Sequence, residues 1–176
     1  MADKITVEAL LARNKTVMKT HKPNPTFQYL AENQIPVGKT LVISCADPRS
    51  DPTYILNLKF AETAILRNVG GQVKPLLNDI VALDNLLVFN QVMIIHHTDC
   101  GTTHFTNEQV RSVVLARDPG AKVEDVDYGE ISDLPGSVSR DVEFLRGRKE
   151  VRGELKEKIR GFLYDIVTGE LGEVVV

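Results

Sequence analysis

The stretch Gln91 to Gly101, QVMIIHHTDCG, changes character in its middle. The first half is apolar and rich in β-branched residues, without alternation. That is the pattern of a strand buried on both faces, as in a parallel sheet. The second half sets His96, His97, Asp99 and Cys100 immediately behind it. Two upstream runs have the same form. TLVIS, Thr40 to Ser44, leads straight into Cys45, and TAILRN, Thr63 to Asn68, leads into Val69-Gly70-Gly71.

Helical patterns alternate with these runs. Asp51-Pro52 is a helix-start signature, and Lys74 to Asn90 is a strongly apolar helix that should pack on the sheet or on another subunit. Thr106 and Gln109 suggest a capping box for a helix through about Ala116. Residues 117 to 136 are polar and turn-rich, an irregular segment, and Ser137 to Gly147 reads as a helix. IRGFLYDIVTGELGEVVV, Ile159 to Val176, reads as two strands around a Thr-Gly-Glu turn. Upstream, Thr6 to Lys19 reads as a helix with an imperfect apolar face. Asn24 as N-cap with Pro25 at the first helical position predicts a second, short one. The expected fold is α/β, with a mainly parallel central sheet flanked by helices and an antiparallel strand at one edge. Residues 1–176 are expected to form a single domain, with 1–35 as an N-terminal helical arm. In such sheets ligands bind beyond the carboxyl ends of the strands. Cys45, the RNVGG turn and HHTDCG each follow a strand, so all three can converge there.

Composition narrows the function classes. The chain has 176 residues, 43% hydrophobic and 26% charged, with a formal net charge of −3. That balance is ordinary for a globular protein and gives no electrostatic footprint for nucleic acid. No stretch approaches the roughly 18 apolar residues of a membrane span, and MADKITVEALLARNKTVMKT does not read as a targeting segment. A soluble, cytoplasmic protein is expected, without membrane or nucleic-acid partners.

The two cysteines, Cys45 and Cys100, would suggest a disulfide in a secreted protein and metal or catalytic use in a cytosolic one. His97-x-x-Cys100 can aim two donors at one point, and Cys45 can add a third. Two thiolates and one imidazole suit Zn²⁺. The fourth position is then open to water, or closed by His96, Asp99 or His104. In Cys45-Ala-Asp47-Pro-Arg49, an arginine can hold the aspartate by two parallel hydrogen bonds and keep it ionised. Asp-x-Arg by itself is an ordinary surface ion pair. Thiol catalysis fits poorly, because neither cysteine belongs to Cys-x-x-Cys and Cys45 to Arg49 is too short for a phosphatase loop. VGG is not a dinucleotide fingerprint.

Taken together, Cys-x-Asp-x-Arg after one strand, Arg67-Asn68-x-Gly70 after the next, and His-x-x-Cys-Gly after the third resemble the β-class carbonic anhydrases. The order and strand context agree from Thr40 to Thr103. Gly161-x-x-x-Asp165-x-x-Thr168-Gly169-x-Leu171 is similar to the ending of the small, compact branch, which also includes carbonyl sulfide and carbon disulfide hydrolases. The resemblance implies Cys45, His97 and Cys100 as zinc ligands, with Asp47 and Arg49 as the catalytic dyad beside the metal. It implies zinc-hydroxide chemistry on a small linear molecule, foremost the reversible hydration of CO2 to bicarbonate. Hydrolysis of carbonyl sulfide (COS) to hydrogen sulfide and CO2 is the alternative. A non-enzymatic zinc sensor or scaffold is a third reading, against which the intact Asp47 and Arg49 argue. It also implies a homodimer or higher homo-oligomer, with the first helix reaching across to the partner.

Two departures from the family pattern stand out. His96 occupies a position where relatives commonly keep glycine, and Val69-Gly70-Gly71 replaces the usual Ala-Gly-Asn. Both leave an atypical substrate pocket open. His96, His104, Asp99 and His21 are candidates to carry the proton away from the site.

Overall fold

A computed structural model describes residues 5–59 and 61–176. The chain divides into two compact units, the first ending at Pro36 and the second spanning Val37–Val176. The first unit holds helices α1 (Val7–Val17) and α2 (Phe27–Glu32). The Thr6 hydroxyl caps α1 by accepting from the Ala9 N–H. The start of α2 differs from the sequence expectation. Thr26, not Asn24, is the N-cap, because its hydroxyl accepts from the Tyr29 N–H at 3.1 Å. That satisfies one of the otherwise unpartnered amides of the first turn.

The second unit is built on one sheet of β1 (Thr40–Cys45), β2 (Ala64–Asn68), β3 (Gln91–His97), β4 (Ile159–Tyr164) and β5 (Leu171–Val174). The strand order is β2-β1-β3-β4-β5. The first four are mutually parallel and β5 is antiparallel to β4, as expected for an α/β protein with an antiparallel edge. The helices are α3 (Pro52–Ile55), α4 (Leu77–Leu87), α5 (Asn107–Arg117), α6 (Leu134–Gly147) and α7 (Gly153–Lys156). The Thr106–Gln109 capping box on α5 and the Asp51 cap on α3 are both present. No helix among the described residues is long and apolar enough to cross a membrane.

The central strands are buried on both faces, which is why their sequences do not alternate. Leu41, Ile43, Ile94 and Ile159 pack with Ile80 of α4 and with Val142 and Leu145 of α6. Val42, Ile95 and Tyr164 belong to a second cluster. Successive strand residues point to opposite faces, so the two clusters lie on the two sides of the sheet. Helix α6 approaches β4 very closely at Gly161. A Cβ there would lie 2.4 Å from Val138 Cγ1 and 2.9 Å from Val142 Cγ2, so only glycine permits this packing.

Asp84 closes the end of α4. Its buried carboxylate accepts from Arg152 Nε at 2.7 Å, Arg152 Nη2 at 2.8 Å and the Phe89 N–H at 2.9 Å. Arg152 holds this carboxyl below the usual carboxylate range, against the upward pull of burial. A depressed folded-state pKa gives stability that is complete above the unfolded value of about 3.9. It is lost as pH falls through the lower folded value. Asp84→Ala is expected to cost about 1–3 kcal/mol, a fall in Tm on the order of 5 °C. Asp84→Asn should also flatten the plot of Tm against pH below about pH 4. Thermal melts across pH check both, and an unchanged acid limb would remove Asp84 from the account.

Candidate metal centre

The parallel register aligns the carboxyl ends of β1, β2 and β3. Cys45 ends β1 opposite Asn68 of β2, and His97 ends β3. Cys100 follows after a tight turn in which Asp99 takes a left-handed backbone, φ 52°, a conformation that aspartate tolerates. The chain therefore delivers Cys45, His97 and Cys100 to one place. Their donor atoms all lie within 4.8 Å of one another, and all three residues are buried.

The two sulfurs are 3.7 Å apart and not bonded. A disulfide would place them near 2.05 Å. Each thiol perturbs the other: their mutual hydrogen bond pushes Cys45 up, with burial adding to the rise, and pulls Cys100 down. The Thr102 hydroxyl donates to Cys100 Sγ at 3.0 Å. His97 Nδ1 lies 2.9 Å from the Thr98 carbonyl, which fixes the proton on Nδ1 and the lone pair on Nε2. That Nε2 is buried and has no hydrogen-bond partner.

A buried, unpartnered ring nitrogen is costly. A cation shared with the two sulfurs removes the cost. Two thiolates bound tetrahedrally to one zinc at about 2.3 Å each sit about 3.8 Å apart, close to the separation found. The donor set and its spacing fit zinc.

Asp47 and Arg49 stand beside this cluster. Asp47 Oδ2 is 4.0 Å from His97 Nε2. Arg49 grips both carboxylate oxygens: Nε lies 3.1 Å from each, and Nη2 lies 2.7 Å from Oδ2. The Arg49 N–H adds a bond to Oδ1 at 2.8 Å. These hydrogen bonds push the Asp47 carboxyl down to about 2, so it is ionised at neutral pH. Arg49 also reaches the other turn, donating to Asp99 Oδ2 at 2.8 Å and to the Asp99 carbonyl at 2.9 Å.

Three features of the site were not read from the sequence. Arg67 of β2 donates from Nε to the Cys45 carbonyl at 2.9 Å and from Nη2 to the Asp47 carbonyl at 2.7 Å, and it pairs with Asp51 at 2.6 Å. It thus fastens the whole Cys45–Asp51 turn. A charged residue closing an otherwise apolar strand was the available signal. Asp99, a candidate fourth ligand and proton carrier by sequence, bridges Arg49 and His104, the latter at 3.0 Å. Thr102 had no distinguishing signal. Of the candidate fourth ligands, His96 points to the opposite face of the sheet, and His104 is exposed and paired with Asp99. His21 belongs to the N-terminal unit.

The Gly71 departure has a steric basis. Gly71 has φ +71°, and a Cβ there would lie 2.8 Å from the Cys45 nitrogen and 2.9 Å from the Ser44 carbonyl carbon. Backbone cannot retreat as a side chain can. Gly71→Ala is therefore expected to cost about 1–3 kcal/mol and to displace Cys45. Thermal melts and metal stoichiometry measured together check this. A cavity of ≈ 480 Å³ opens beside the same turn, with Asn68, Val69, Gln72 and Tyr128 in its wall.

The fold and the site define an α/β protein carrying a Cys-His-Cys cluster and an Asp–Arg pair at the carboxyl end of a parallel sheet. The sequence model of the carbonic anhydrase family matches residues 40–171. The chain belongs to the β-carbonic anhydrase family. It is 28% identical over 136 residues to "Beta-carbonic anhydrase 1" of Mycobacterium tuberculosis, covering 76% of this chain and 80% of that one. The solved carbonic anhydrase from Glaciozyma antarctica superposes with a TM-score of 0.77 at 27% identity, covering 99% of this chain and 98% of that one. A carbon disulfide hydrolase of Saccharolobus solfataricus is 29% identical over 86 residues, which is 48% of this chain and 41% of that protein.

Proposed function

We propose that the protein hydrates CO2 reversibly to bicarbonate at a zinc centre held by Cys45, His97 and Cys100. The observation that carries this reading is the buried, unpartnered His97 Nε2 beside two thiols 3.7 Å apart, with the Asp47–Arg49 pair against it. Cys45, His97 and Cys100 would hold the zinc, which when bound would supply Lewis acidity that lowers the pKa of water toward neutrality. Asp47, kept ionised by Arg49, accepts a hydrogen bond in a fixed direction and so orients the attacking water. Arg49 grips both oxygens of Asp47, which fixes the orientation of the carboxylate against the cluster. Arg67 keeps the carbonyls of Cys45 and Asp47 in place. The proton from water leaves to solvent.

A second reading, hydrolysis of COS or a related CO2-like molecule, is favoured by the similarity to the carbon disulfide hydrolase. Val69 and Gln72, in the cavity wall beside the site, are where substrate preference would be set. We also propose assembly as a homodimer or larger. Leu10, Leu11, Val17 and Met18 of the first unit are each at least half exposed, apolar surface that a second copy can cover. Sedimentation or light scattering tests it.

The deciding experiment assays the zinc-loaded protein side by side for CO2 hydration, by stopped-flow proton release, and for hydrogen sulfide release from COS and carbon disulfide. Fast CO2 turnover supports the first reading and sulfide release the second. Stoichiometric zinc with no turnover of any of the three overturns both in favour of a zinc-binding protein without catalysis.

A further inference from the structure

His96, the residue standing where relatives commonly keep glycine, is almost fully buried, yet it contributes nothing to the Cys-His-Cys cluster. Strand alternation turns it away from His97 and toward α6. There its Nδ1 lies 2.7 Å from Ser137 Oγ and its Nε2 lies 3.1 Å from Asp141 Oδ2. A serine, a histidine and an aspartate in contact invite comparison with a hydrolytic triad. The Ser137 hydroxyl, however, donates to the Leu134 carbonyl one helical turn back, at 2.6 Å. Its proton is engaged by the helix, and the group is not set up as a nucleophile.

The same Asp141 oxygen has a second partner. It accepts from the Val73 N–H at 3.2 Å. Val73 lies two residues beyond Gly71, where a Cβ would meet the backbone of Ser44 and Cys45 within 3 Å. One carboxylate oxygen on α6 therefore holds two segments. One is the end of β3, which carries His97. The other is the turn that abuts Cys45. The helix is a firm anchor for this, because Gly161 lets it sit directly on β4.

We propose that Asp141, acting through His96 and Val73, is a positioning residue that sets the spacing of the metal donors. The inference rests on the zinc reading above. If Asp141 is removed, the His96 ring and the Val73 N–H lose their acceptor in a buried place. Water entering from the cavity that Ser137 and Asp141 line can satisfy them in part. Otherwise the end of β3 or the glycine turn shifts, and either shift moves a donor. Metal sites are sensitive to displacements of about half an ångström, and outer partners of metal ligands are commonly worth 10- to 100-fold in affinity.

The test uses the full chain loaded with cobalt(II), whose visible and thiolate charge-transfer bands report the donor geometry, together with chelator competition for affinity. The unaltered protein, Asp141→Ala, Asp141→Asn and Asp84→Ala are compared. Asp84→Ala also deletes a buried, hydrogen-bonded carboxylate, but one bonded to Arg152 and Phe89 and not to the site. Asp141→Ala is expected to bind metal about 10- to 100-fold more weakly with shifted visible bands. Asp141→Asn, which keeps an acceptor oxygen, should recover most of both. Asp84→Ala should melt lower while keeping the affinity and spectrum of the unaltered protein. If Asp141→Ala does not fold, His96→Phe, which keeps an aromatic ring, removes both nitrogens and leaves the Val73–Asp141 bond, tests the β3 link alone and is expected to weaken metal binding and shift the bands in the same direction. Affinity and spectra in the folded variant that match those of Asp84→Ala overturn the positioning role and leave the zinc reading standing. Absence of a thiolate band in the unaltered protein overturns the zinc reading and this inference with it.

Discussion

Cys100→Ser is expected to abolish metal binding and activity together. Zinc per chain, measured by elemental analysis after dialysis, should fall from near one to under about one-tenth. CO2 hydration should fall at least about 100-fold. The reason lies in the donor chemistry. A thiolate is a strong, soft donor that is readily deprotonated, whereas a serine hydroxyl is harder and stays protonated at neutral pH. In this chain the contrast is sharpened, because Cys45 and Thr102 both hydrogen-bond Cys100 and pull its thiol well down. The serine oxygen would also sit farther from its partners than a sulfur 3.7 Å from Cys45 Sγ. Two donors, Cys45 and His97, then remain, too few for a stable tetrahedral site. Cys45→Ser should behave alike. The fold should survive both changes, since the main core cluster, Leu41, Ile43, Ile94, Val142 and their neighbours, does not include Cys45 or Cys100. Near-stoichiometric zinc in a folded Cys100→Ser protein would show that the donors have been misassigned.

The legibility of this site in the sequence follows from what each signal encodes. TLVIS and VMII lack alternation because both faces of their strands are covered; TAILRN, expected to be buried likewise, is the edge strand β2 and leaves Ile65 exposed. The three runs nonetheless put Cys45, Asn68 and His97 at one end of a parallel sheet. Cys-x-Asp-x-Arg was legible because the Asp47–Arg49 contact is local, closed within one turn. Arg49 to Asp99 and Arg67 to Asp47 join residues far apart in the chain, and no spacing rule announces them. His96 shows the boundary most clearly. Period two says that it faces away from His97. That α6 waits there with Ser137 and Asp141 depends on how closely the helix can approach Gly161, a tertiary fact. The start of α2 failed for a smaller reason: two capping residues, Asn24 and Thr26, compete, and the sequence does not rank them.

Asp47 and Arg49 should separate from the metal donors in their response to substitution. Asp47→Asn and Arg49→Ala are each expected to keep stoichiometric zinc while lowering kcat/KM by about 10²- to 10³-fold, the range for losing a positioned acceptor. In Asp47→Asn the amide would keep the shape of the side chain but present a single, neutral acceptor oxygen. Loss of the Arg49 side chain leaves Asp47 charged yet releases its oxygens from the guanidinium, with only the backbone N–H of residue 49 still on Oδ1, and detaches the Asp99 turn. Arg49→Lys should not rescue, because an ammonium cannot reproduce the forked contact that spans two carboxylates. The double variant carries the sharper expectation. If Arg49 works by aiming Asp47, then once Asp47 is gone Arg49 has nothing left to aim, and Asp47→Asn/Arg49→Ala should be no slower than the worse single variant within about threefold. Two independent roles would instead multiply, giving a double variant slower by about 10⁴-fold or more. Stopped-flow kcat/KM for the four proteins, with zinc content measured on the same samples, distinguishes one aimed carboxylate from two separate contributors.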